Sequence, residues 1–173
     1  MSHKFLRPKE TLSKLDAYKI ALETRNLEIG LFWQRSNYFL VLNVALALGF
    51  FKVENNILYS TALSVFGAII SILWLRVNLG SKFWQSRWEE RLKIQESILA
   101  PNLNFFAAED QIINDDVKRN ILENKPRKRW FKKAMDEGIM KRHSVSYNMI
   151  LLSVLFIIGW SVLFYITFFI SKI

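Results

Sequence analysis

The sequence predicts an all-α, polytopic membrane protein with three transmembrane helices and a small helical cytoplasmic module, on three observations. Hydrophobic segments run from Tyr38 to Phe51, from Ile57 to Leu75 and from Val145 to Ile170. The polar stretches between them are crowded with Lys and Arg. No period-two strand pattern occurs anywhere along the chain. A bilayer's hydrocarbon core is about 30 Å thick, so a spanning helix takes roughly 20 mostly apolar residues. The second and third segments meet that length outright. The first reaches it only if Ser36, Asn37 and Val53 lie near the interfaces, Lys52 snorkels outward and Asn43 bonds to a neighbouring helix. The resulting division is an N-terminal cytoplasmic helix over 1–35, spans over 36–54, 57–79 and 145–170, and a cytoplasmic helical region over 80–143.

Residues 11–35 read as one helix, with Thr11 as N-cap and Leu15, Tyr18, Leu22, Ile29 and Phe32 recurring at three- and four-residue intervals. Only Gly30 interrupts, and no proline follows before the first span, so the two form one rod or meet at a gentle kink. Arg25 falls on the apolar stripe. It either pairs with Glu28 or a carboxylate of another helix, or makes an intersubunit or ligand contact. From Ile57 to Ala100 there is again no proline, and a helix of some 40 residues, about 65 Å long, can cross the membrane and project beyond it until Pro101 stops it. A third helix is expected over roughly Ala107 to Asn124, ended by Pro126. Arg127 to Arg142 then forms a basic amphipathic approach to the last span.

Charge sets the orientation. Seven cations precede the first span, from Lys4 to Arg35, and many more follow the second between Lys82 and Arg142. The connection Lys52 to Asn56 and the tail Ser171 to Ile173 carry one cation each. The positive-inside rule therefore puts the N-terminus and the long middle region in the cytoplasm, and the C-terminus on the periplasmic or extracellular side of a bacterial inner membrane. The first apolar run begins too far from Met1 for a cleaved signal peptide. Hydrophobic residues make up 51% of the chain while the net charge is +9, so the charge is concentrated in the cytoplasmic part. Such a face suits an anionic lipid bilayer first and nucleic acid second. Without cysteine there is no disulfide, palmitoylation site or thiolate metal site.

Three groups of residues carry candidate functions. Ser60, Ser64, Gly67, Ser71 and Asn78 lie within about 60° of one another on a helical wheel, a small, polar stripe the length of the second span, joined by Asn43 on the first. They either line a water-filled pore or pack helices closely. Two similar pieces at the membrane boundary, Phe32-Trp33-Gln34-Arg35-Ser36 and Phe83-Trp84-Gln85-Ser86-Arg87 followed by Trp88, form either an aromatic belt or a hydrogen-bonded collar between subunits. Lys125, Arg127, Lys128, Arg129, Lys132 and Lys133 surround Trp130 and Phe131 and suit anionic lipid, or alternatively single-stranded RNA. In the third span, Phe156, Trp160, Phe164 and Phe168 share one face and predict an outer, lipid-facing helix. No cofactor or metal is expected, because His3 and His143 stand alone and no acidic spacing suggests a site. Glycine-rich phosphate loops and serine elbows are also missing, so an enzyme is not expected.

Two stretches resemble the RipA family of octameric bacterial membrane proteins: Tyr18 to Asn26 running into Phe32-Trp33-Gln34-Arg35-Ser36-Asn37-Tyr38, and Val77 to Glu89. That family is similar in plan to the membrane accessory proteins of type VI, RNA-targeting CRISPR systems. The resemblance implies a homo-octamer, a pore, and a role in membrane stress or anti-phage defence. An Arg/His pair of the kind HEPN ribonucleases use is missing after Arg25 and after Arg119, which argues against RNA cleavage. The leading expectation is thus a pore-forming or channel-like oligomer. The alternative is a non-conducting membrane anchor that recruits a cytoplasmic protein or RNA.

Overall fold

The computed structural model describes residues 12–53, 56–123, 130–142 and 144–169. Within them are five helices and no strand: α1 (Lys14–Lys52), α2 (Ile57–Leu99), α3 (Asp110–Glu123), α4 (Trp130–Met140) and α5 (Val145–Phe169). Thr11, Lys125, Arg127, Lys128 and Arg129 lie outside the described residues, as do the side chains of Lys132 and Lys133.

Helix limits follow local chemistry. The N-cap of α1 is Ser13, whose hydroxyl oxygen accepts from the Asp16 amide at 3.1 Å. From there α1 runs without a break through Gly30 to Lys52. Asn56 caps α2 by accepting from the Tyr59 amide at 3.3 Å. At its far end α2 stops at Leu99, ahead of Pro101. The third helix begins at Asp110, later than its predicted start at Ala107. The reason is Glu96, whose carboxylate accepts from the amides of Phe105, Phe106 and Ala107 at 2.6, 2.6 and 2.8 Å. Those donors lie in a bend over residues 105–107, ahead of α3. Arg142, with φ of 47°, ties the far end of α4 back to α3 through Asp110 Oδ1 at 2.7 Å and Asn114 Oδ1 at 2.6 Å.

Helix α2 packs against both α1 and α5, while α3 contacts α4. Its buried positions are Ser64, Gly67, Ser71, Trp74, Asn78, Ser81 and Gln85, and further along Leu92 and Glu96. Alternating steps of three and four residues make a heptad seam of the kind that coils helices left-handed. On α5 the buried residues Ser153, Trp160 and Thr167 are spaced by sevens, and on α1 Ser36 and Asn43 are seven apart.

Two expectations are corrected here. Two helices among the described residues, not three, are long and apolar enough to cross a membrane: α2 and α5. The segment predicted as the first span is bracketed by Arg35 and Lys52, carries Asn43 at its middle, and is one stretch of the longer α1. The face of α5 predicted to meet lipid turns inward instead. Trp160 is 2% exposed, and Phe156 sits 5.8 Å from the Trp74 ring. Its heptad register places Ser153, Trp160 and Thr167 against α2, so Phe156 and Phe164 flank the buried line.

Burial is inverted relative to a water-soluble bundle. Asn43, Ser64, Ser71 and Ser153 are fully buried, whereas Val41, Phe51 and Leu58 are 66, 74 and 76% exposed. In water this arrangement would forfeit the main driving force of folding. In lipid the outside is as apolar as any leucine, and small residues with internally paired polar groups are what hold helices together.

Candidate functional site: polar nodes in the helix seam

The seam is pinned by three polar nodes, each joining α2 to a neighbour. At the first, Asn43 Oδ1 accepts from Trp160 Nε1 at 2.8 Å and lies 2.8 Å from the Ser71 hydroxyl, linking all three long helices. The same hydroxyl lies 2.8 Å from the Gly67 carbonyl oxygen, so its single proton serves one acceptor at a time. The Asn43 amide nitrogen donates to the Phe39 carbonyl at 2.9 Å. At the second node the Ser36 hydroxyl donates to Asn78 Oδ1 at 3.4 Å, and Asn78 Nδ2 donates to the Met149 carbonyl at 3.1 Å. At the third, Ser146 donates to Gln85 Oε1 at 2.9 Å. Ser71, Asn78 and Gln85 are seven residues apart, so each node falls on the same side of α2.

Glycine at 67 is a steric requirement. A Cβ there would lie 2.2 Å from two carbons of the Trp160 indole. The ring fills the space that glycine leaves and reaches Asn43 from there. Trp74 occupies the next layer, 6.3 Å from the Phe39 ring and nearly parallel to it. Its indole N–H is buried with no partner among the described residues.

Of the candidate pore-lining or packing residues, Ser64, Gly67, Ser71, Asn78 and Asn43 all sit inside the bundle of one protomer, and Ser60 is half-buried. That is helix-packing geometry, the second of the two roles expected for the stripe. Trp74, Trp160, Ser153 and Gln85 complete the seam, and the seven-residue spacing of Ser64, Ser71, Asn78, Gln85 and Leu92 is the signal that points to them.

The collar residues divide between the seam and the surface. Gln85 is buried, while Trp33 and Trp84 are 44 and 43% exposed at the rim. Arg87 stands over the Trp84 ring at 5.3 Å, and Trp88 is half-buried. Arg35 forms a loose pair with Glu28 at 3.9 Å, and exposed Gln34 lies 3.4 Å from the Tyr38 hydroxyl. Arg25 reaches across to Glu89 of α2 at 3.7 Å, and its guanidinium lies 5.6 Å from the Phe106 ring centroid. Between these helices and the start of α5 is an open groove of about 320 Å³.

Glu96 is a buried carboxylate that accepts from three backbone amides. Burial pushes its pKa up and the three amide donors pull it down, leaving it below the ordinary glutamate value. It fixes the turn through which α2 hands the chain to α3.

The chain belongs to the octameric membrane protein family, whose pattern matches residues 15–169. No curated protein and no solved structure shows significant similarity to it. Family and burial pattern agree that this is a membrane protein.

Proposed function

We propose that the protein is a homo-octamer of the bacterial inner membrane that changes membrane permeability, in a membrane stress response or in anti-phage defence. The observation that carries this reading is the inverted burial of a chain from an octameric family: the polar groups are spent inside each protomer, leaving apolar helix faces for lipid and for neighbouring copies. In this reading α2 and α5 cross the membrane, and the apolar middle of α1 packs along α2 with its polar Asn43 sheltered by Ser71 and Trp160. Helices α1 and α2 continue as rods into the cytoplasm, where α3 and α4 form a small module able to move them. Because the outward surface at membrane level is apolar, a conduit along the octamer axis would be closed at rest by dewetting and would open when the helices shift.

Flux through the purified octamer in liposomes should be low and should rise when a polar residue is placed on the axis-facing helix. Val44→Asn, Ile69→Asn and Ile158→Asn each wet a different outward face, and one of the three should raise ion flux at unchanged oligomer mass. If none does, the non-conducting reading gains, in which the octamer anchors a recruiting surface for a cytoplasmic protein or RNA. The largely apolar exterior of α2 and α5 is the observation that favours that alternative. For topology, a reporter fused after Ile173 should be active only outside the cytoplasm and one inserted near Asn114 only inside. With the region near Asn114 inside, a cytoplasmic C-terminus would mean that α5 does not cross the membrane.

A further inference from the structure

The groove between α1, α2 and the start of α5 shares Gln85 and Ser146 with the third node of the seam, and it gathers unusual chemistry beside them. We propose that it binds the phosphodiester headgroup of an anionic phospholipid. Its walls include Arg25, Trp33, Lys82, Gln85, Glu89 and Ser146. Two cations face one carboxylate, a net charge of one that matches the single negative charge of a phosphodiester. The cations are also available. Arg25 meets Glu89 only at 3.7 Å, well beyond the roughly 2.7–2.9 Å of a strong charge-assisted bond. Its Nε is buried with no hydrogen-bond partner among the described residues. Lys82 has no ion-pair partner among them either. Since Gln85 Oε1 already accepts from Ser146, the Gln85 amide nitrogen is left to donate.

The depth suits a headgroup. The groove opens where the 25-residue apolar helix α5 begins at Val145, beside the half-exposed ring of Trp33, a residue type that settles at the headgroup level of a bilayer. Its volume of about 320 Å³ accepts a phosphate with a small polar substituent and leaves acyl chains to run over the exposed apolar surface. The groove residues named above are not those of the basic cluster between Lys125 and Lys133, and the site does not depend on the protein conducting ions.

The test uses the detergent-purified, full-length oligomer and three probes: short-chain phosphatidylglycerol, short-chain phosphatidylcholine, and glycerophosphoglycerol, the same headgroup without chains. Binding is read by native mass spectrometry and by the shift in melting temperature. Phosphatidylglycerol should bind and raise the melting temperature more than phosphatidylcholine does. Lys82→Gln and Arg25→Gln should each weaken its binding about tenfold or more, with the oligomer's mass unchanged. Arg25→Gln also removes the contacts to Glu89 and Phe106, so Lys82→Gln, which breaks no ion pair seen here, is the deciding variant. Replacing Arg127, Lys128, Arg129, Lys132 and Lys133 together with Gln should leave this binding intact. Unchanged phosphatidylglycerol binding in Lys82→Gln would overturn the site. Glycerophosphoglycerol binding as tightly as the lipid would overturn the lipid as its source and assign the groove to a soluble phosphodiester.

Discussion

Gly67→Ala should destabilise the folded protomer by about 3 kcal/mol, the upper part of the usual range for overpacking, and reduce the yield of assembled octamer. The added methyl would stand 2.2 Å from the Trp160 ring, about half an ordinary contact distance. The indole is rigid, so either the whole ring swings away or α5 moves off α2. Both remove the 2.8 Å bond from Trp160 Nε1 to Asn43, and with it a node that joins all three long helices through side chains. Gly80→Ala and Gly159→Ala serve as controls, since a Cβ at either position meets nothing within 4 Å. Each should be neutral or slightly stabilising, because alanine favours a helix by up to about 1 kcal/mol over glycine. Pairing Gly67→Ala with Trp160→Leu, which clears the space, should cost less than the two separate changes combined, by about 0.5–3 kcal/mol for residues in direct contact. Thermal unfolding in detergent, with native mass on the same samples, reads all five variants, Trp160→Leu alone included. A Gly67→Ala protein that melts like its parent would mean that Trp160 does not occupy this space in the assembled octamer.

Much of this architecture was legible in the sequence. The second helix was expected over 57–100 and is observed as Ile57–Leu99, because a proline and a run without breakers leave little choice. The small residues of its stripe could be grouped by angle alone, and of the partners open to Arg25 on its apolar stripe (Glu28, a carboxylate of another helix, or an intersubunit or ligand contact) Glu89 of α2 stands at 3.7 Å. What escaped was information carried by pairs distant in sequence. Trp160 on an aromatic face reads as lipid-facing until Gly67 is seen to leave a hole of its shape. Glu96 reads as one more solvated acid until the turn at Phe105 to Ala107 folds back onto it. The junction of the N-terminal helix with the first apolar segment did not escape, since nothing in 14–52 breaks the helix and α1 runs unbroken from Lys14 to Lys52. Composition could not show that polar residues would be inside, but the spacing of Ser153, Trp160 and Thr167 by sevens could.

Glu96→Gln should release the turn that joins the membrane rod to α3 and leave the membrane bundle intact. The carboxylate satisfies three amides at once with two acceptor oxygens. Glutamine keeps one oxygen and points an N–H₂ at donors, so at least one amide loses its partner. Hydrogen bonds to a charged group contribute about 1.5–3 kcal/mol each, and beside the exposed Phe105 the low end applies; amide exchange at Phe105, Phe106 and Ala107 should quicken on the order of tenfold. Acid should do the same to the parent protein. The folded-state pKa of Glu96 is depressed, so its contribution is fully present above the unfolded value of about 4.3 and is lost as pH falls through the lower folded value. Exchange at the three amides, corrected for the intrinsic rate, should therefore hold steady from neutral pH down to that region and rise below it. In Glu96→Gln the corrected rate should be high throughout and flat with pH, while Glu90→Gln, on an exposed face, should behave like the parent. If the octamer conducts, the same variant separates the module from the gate. A changed flux at unchanged mass would make this turn the mechanical link between α3 and the span, whereas unaltered flux with fast exchange would confine Glu96 to shaping the cytoplasmic part.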